Sequence, residues 1–128
     1  MGPEVLGVAV SGGGGGTTRA YGFCASGGGA ATLILINLAA TSACVGLPAG
    51  FAAPGAPLTQ FSLTPGAGGV ASAATLLNGA PLALDAAGKL PPLNGASVPQ
   101  AGGVTLPATS VTLLRVPLAP GVGTCGGR

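Results

Sequence analysis

The fold is decided by the second half of the chain, residues 58–125: LTQFSLTP (58–65), ATLLNGAPLALD (74–85), GKLPPLN (88–94) and TLPATSVTLLRVPLAPGVGTC (105–125). Short apolar runs alternate there with Asn-Gly, Pro-Pro and Gly-rich breaks, and a cysteine closes the series. Phe61 and Leu63 alternate with Gln60 and Ser62, and Leu82 and Leu84 with Ala83 and Asp85. Successive side chains of a strand point to opposite faces, so a period of two marks a half-buried strand. Asn78-Gly79 lies between Thr75–Leu77 and residues 82–84. A two-residue type I′ turn needs φ > 0 at both central positions, which Asn and Gly tolerate best, so this is the strongest hairpin signal in the chain. Asn94-Gly95 repeats the chemistry after the stiff Pro91-Pro92. A last strand is predicted over 110–116, stopped by Pro117.

The first half extends the pattern. An apolar stretch at 5–10 is followed by five glycines, 12–16, which read as a flexible loop. RAYGFCAS (19–26), three glycines at 27–29 and ATLILINL (31–38) come next. The last is a continuous apolar run of strand length between turn signals, as expected of a strand buried on both faces. Residues 39–57 are Pro- and Gly-rich and predict a long loop with one weak strand near 44–47. No apolar pattern of helical period persists for three turns. About eight short strands with long Gly/Pro-rich loops predict an antiparallel all-β sandwich, one domain over 1–128. Leu33, Leu35, Leu76, Val111 and Leu113 are its expected core.

Composition narrows the function classes. Six of the 128 residues are charged, Glu4, Arg19, Asp85, Lys89, Arg115 and Arg128, for a net charge of +2. That is too small and too scattered for a nucleic-acid footprint. With 26 Gly and 12 Pro the chain reaches the level of low-complexity disorder. Leu, Ile, Val and Phe nevertheless supply a quarter of the residues, and the net charge is low, which argues for an ordered core. A secretory signal is not expected in residues 1–10: Glu4 stands where positive charge is wanted and the apolar run is short. No charge lies between Arg19 and Asp85, yet Gly46, Pro48, Gly50 and Pro54 break the apolar window. A spanning helix needs about 20 predominantly apolar residues, so no transmembrane span is expected.

Most chemistry is excluded. The absence of histidine removes Ser-His and Cys-His nucleophile arrangements and imidazole metal sites. Cys24, Cys44 and Cys125 lack the close pairing of a zinc site. No Gly-Lys-Ser/Thr follows the glycine run, and Thr17 occupies the third glycine position of a dinucleotide motif that Gly12 and Gly14 would begin. No cofactor and no metal is expected. A glycosidase needs two carboxyl groups about 5 Å apart or somewhat more, and Glu4 and Asp85 are the sole acidic residues. Glu4 precedes the first strand and Asp85 reads as a solvated turn residue, so no catalytic pair is predicted. Arg19 and Tyr21 suggest sugar stacking, but one Tyr without Trp is a poor platform and an exposed strand position suffices to explain them. Cys44, in Ser-Ala-Cys-Val, reads as a small buried hydrophobe.

The order of these segments resembles the C-terminal β-domain of the heparanase-like (family 79) glycoside hydrolases. There a Leu-Leu-Asn-Gly turn, a Leu-Pro-Pro segment, a final apolar strand and a near-terminal Cys follow one another. MGPEVL, RAYGFC and ATLILINL are similar to that family's Met-Gly element just after the barrel, its Arg-x-Tyr-x-x-Cys strand and its strand ending in Asn-Leu. The departures are the glycine insertions and a 39–57 loop poor in polar residues. The resemblance implies a non-catalytic domain packed on a (β/α)₈ barrel, where both catalytic Glu residues lie upstream of this chain. Its parent enzyme would hydrolyse glycans at glucuronic-acid residues, with the glycan reached through the barrel alone. Met1 falls where the family has an internal Met, so a fragment lacking the barrel, and inactive by itself, is expected. Ile34 and Ile36 would face a second layer or the barrel. The resemblance also pairs Cys24 with Cys125, leaves Cys44 free, and implies a secreted, extracellular or lysosomal parent, with peripheral membrane association left open. Two other readings stay open: a small membrane-associated protein, from the charge-free middle, and a low-complexity structural protein, from the Gly, Ala and Pro content.

Overall fold

The structure is a computed structural model that describes residues 4–12, 16–122 and 125. The Met-Gly element at Met1-Gly2, three glycines of the 12–16 loop and Arg128 lie outside the described residues. Ten strands are present among those described: β1 (Val5–Leu6), β2 (Thr18–Cys24), β3 (Ala30–Asn37), β4 (Ala43–Val45), β5 (Leu58–Pro65), β6 (Thr75–Leu77), β7 (Ala80–Leu82), β8 (Ala96–Val98), β9 (Val104–Leu106) and β10 (Ser110–Pro117). All pairings are antiparallel. The large sheet runs β1-β2-β3-β10-β5-β6-β7, with β8 also on β5, and β4 and β9 form a second, small sheet. Apart from one short 3-10 turn at Gly69–Ala71, the described residues hold no helix. The predicted antiparallel β-sandwich is the fold.

Antiparallel partners share a face, so register locates the core. Leu114 lies opposite Leu33 and Thr112 opposite Leu35. These four, with Ala31, Val116, Leu58 and Ser62, form the buried inner face of the large sheet. Val104 and Leu106 of β9 cover it, helped by Ala43, Val45, Leu47 and Phe51. The hydroxyls of Ser62 and Thr112 satisfy each other within this core at 2.9 Å. Asn37, 1% exposed, ends β3 by donating to the carbonyls of Thr41 and Pro107 and accepting from the Ala39 N–H. One buried amide thus ties the start of the 39–57 loop to the β9–β10 connection.

Several expectations are corrected. β3 is not buried on both faces: Leu33 and Leu35 are buried while Thr32, Ile34 and Ile36 are half-buried. Val111 and Leu113 are on the same outer face, half-buried, opposite Ile36 and Ile34. The sequence runs Leu113-Leu114, so alternation alone does not say which leucine points inward. Arg115 decides it, because a charged side chain stays in water and leaves Leu114 and Val116 for the core. Leu76 is half-buried because β6 is short and lies near the sheet edge. The hairpin forms at Asn78-Gly79, with φ of 48° and 82°, but β7 starts directly after it and Leu84 is exposed beyond its end. Asn94-Gly95 makes no second hairpin. Gly95 serves close approach instead, since a Cβ there would come within 2.8 Å of Phe61 Cζ. The short strands β8 and β9 were not expected from the sequence.

Candidate functional site: the outer face of the large sheet

The two carboxylates do not meet. Glu4 adjoins β1 and Asp85 follows β7, the two ends of the sheet order. Six interstrand steps of about 4.8 Å separate them, roughly 25–30 Å along a curved sheet, several times the reach of a glycosidase pair. Asp85 is exposed, and its carboxylate accepts the N–H groups of Ala87 and Lys89, each at 2.9 Å. It is a turn residue. Among the described residues no group of His, Cys, Asp and Glu is placed to hold a metal.

What the sheet offers is a face. The register sets Tyr21, Ile34, Leu113 and Phe61 in one row across β2, β3, β10 and β5. The adjacent row is Arg19, Ile36, Val111, Leu63 and Leu77, and on the other side lie Phe23, Thr32, Arg115 and Thr59. Tyr21 is 52% exposed; Phe23, Ile34, Ile36, Phe61, Leu63, Val111 and Leu113 are half-buried. A contiguous apolar sheet face is a candidate interaction site. Arg19 is engaged locally, donating to the carbonyls of Gly16 and Thr18. The Arg115 side chain is exposed and has no partner among the described residues. Sequence reasoning passed over it, although a lone charge in an otherwise apolar strand was the available signal.

Asn78 supports this face at the seam where β6 and β8 share one edge of β5. Its amide oxygen accepts the Ser62 N–H at 2.8 Å, and its amide nitrogen donates to the carbonyls of Gln60 (3.1 Å) and Asn94 (3.2 Å). The side chain stands in for the ladder bonds a continuous strand would make. Replacing Asn78 by Ala is expected to cost about 1–2 kcal/mol, from the lost hydrogen bonds and from the loss of asparagine's tolerance of φ > 0, which alanine does not share. Asn78→Gly removes the same bonds but relieves the backbone, so its melting midpoint is expected between Asn78→Ala and the native protein. Equal midpoints for Asn78→Ala and the native protein would show that the seam does not depend on this amide.

Cys24 and Cys125 are joined by a disulfide, with Cα atoms 5.3 Å apart. Both are buried, in a cluster with Ala31 that Leu6, Phe51 and Leu118 pack against. Cys44 is free, but it is exposed rather than a buried hydrophobe. In β4 the inward positions belong to Ala43 and Val45, which leaves the thiol on the outside, 3.3 Å from the Gly102 carbonyl. No described helix is long and apolar enough to cross a membrane.

No protein-family model matches the chain, and no curated protein matches it. Among solved structures it is similar to CelM2, a bifunctional glucanase-xylanase protein from a metagenome library. The identity is 27% and the TM-score 0.44, over 80% of this chain and 16% of that one.

Proposed function

We propose that this chain is a non-catalytic β-sandwich domain of a heparanase-like glycoside hydrolase acting on glucuronic-acid-containing glycans. In this reading its outer sheet face packs on the (β/α)₈ barrel that holds the catalytic carboxylates. The observation that carries the reading is that face: aromatic and aliphatic side chains from four adjacent strands, left half-buried because the small β4–β9 sheet covers the opposite side. The order of sequence motifs supports the family, and the separation of Glu4 from Asp85 supports a role without chemistry of its own. The Cys24–Cys125 bond suits an oxidising compartment, consistent with a secreted or lysosomal parent.

Two measurements test this. The chain alone is expected to leave a chromogenic β-glucuronide unhydrolysed across the acidic range. Turnover above the uncatalysed rate that disappears in Asp85→Asn would overturn the proposal. Fused after a heparanase-like barrel stripped of its own β-domain, the chain is expected to restore soluble, active enzyme; an insoluble or inactive fusion counts against barrel docking.

A further inference from the structure

Resting on the docking reading above, we infer that the surface covering the outer face is a protein surface that presents a carboxylate to Arg115. Arg115 is on β10, with β3 on one side and β5 on the other, so it stands well inside the sheet rather than at an edge. Its paired neighbours on the face are Thr32 and Thr59, and beyond Thr32 lies Phe23. None of these neutralises it. Both acidic side chains are elsewhere: Glu4 adjoins the β1 edge and Asp85 is bound into its own loop. Among the described residues the face therefore carries positive charge and no negative charge.

Covering such a face with a purely apolar surface would strip water from an unpaired guanidinium, which is strongly unfavourable. A carboxylate opposite it removes that cost and adds a charge-assisted, potentially bidentate pair. Arginine and tyrosine, both present on this face as Arg115 and Tyr21, are residue types in which binding energy concentrates. A second copy of this chain does not fit. Two-fold pairing of the face would oppose cation-bearing surfaces with no carboxylate on either. Apolar sheet faces are covered by helices or by another sheet, and a helical layer carrying a Glu or Asp among Leu-like residues meets the requirement.

The test uses two amphipathic helical peptides with the same leucine stripe, one with a central Glu and one with Lys in its place, titrated against the full chain by fluorescence anisotropy. The Glu peptide is expected to bind about tenfold tighter or more, the scale of a hydrogen bond between charged groups. Arg115→Glu is expected to reverse the order, and Arg115→Gln to abolish the difference. Arg115 is exposed, so both variants should retain the native melting transition. Peptides that do not differ overturn the inference, as does tight binding of a sulfated glycan that Arg115→Gln abolishes, or a concentration-dependent dimer in sedimentation. The docking reading fails separately. If the fused enzyme keeps full activity with Arg115→Glu, docking stands and the carboxylate falls; if the native fusion is inactive, docking itself falls.

Discussion

Leu114→Ala is expected to destabilise the isolated chain by about 2–5 kcal/mol, the range for truncating a fully buried leucine, whereas Leu113→Ala next to it should cost about 1 kcal/mol, the scale of an ordinary substitution. The two are chemically identical and adjacent, so the contrast isolates the face each occupies. Leu114 is 0% exposed and packs with Leu33, Leu58, Val104 and Leu106 between the two sheets. Losing its side chain leaves a cavity that close-packed neighbours fill only in part. Leu113 lies half-buried on the outer face beside Ile34 and Phe61, where water replaces the lost atoms. Denaturant unfolding of both variants decides the matter. A domain with a total stability of about 5–15 kcal/mol should show a large shift for Leu114→Ala and for Leu35→Ala, and a small one for Leu113→Ala. Equal losses at 113 and 114 would mean that the register of β10 is wrong. In the fused enzyme the Leu113 penalty should grow, because the proposed barrel contact buries that side chain.

The parts of this fold that were legible are those where local chemistry and tertiary environment agree. Asn78-Gly79 required φ > 0 at both positions, and the turn is there. Alternation of Phe61 and Leu63 with Gln60 and Ser62 marks a half-buried strand, and β5, Leu58–Pro65, contains all four. The illegible parts are those where a second layer decides. Leu113-Leu114 gives no phase until Arg115 is weighed, and β8 and β9 are three residues each, held by partners 36 or more positions away: Gln60 opposes Ala96 and Val45 opposes Val104. Asn94-Gly95 carries the same dipeptide signal as the real turn, yet its glycine answers to the Phe61 ring. Cys44 was misread because an apolar neighbourhood in sequence does not fix the side of a strand. The candidate face was least legible of all. Its residues come from four strands distant in sequence, and their convergence around Arg115 exists only once the strands are paired.

Removing the Cys24–Cys125 bond is expected to cost about 2–5 kcal/mol, the range for native disulfides of small domains, and so to rival the loss of a core leucine. The separation of 101 residues makes the entropic part large: closing a loop of about 100 residues is worth roughly 4.7 kcal/mol in the chain-entropy account. The bond also anchors the chain after β10 to the end of β2, two strands away in the sheet, through a buried cluster containing Ala31. Ala31 lies directly opposite Cys24 in the β2–β3 register and is 0% exposed. A freed Cys125 would open that cluster to water. The double variant Cys24→Ala/Cys125→Ala is the appropriate test, because serine would add hydroxyls to an apolar site. Its melting midpoint should fall well below that of the native oxidised protein and match that of the reduced native protein. Cys44→Ser, at an exposed thiol, should change neither. Non-reducing peptide mapping should recover 24–125 as the dominant linkage. A dominant linkage through Cys44, or a double variant that melts with the oxidised protein, would show that the bond does not hold the domain together.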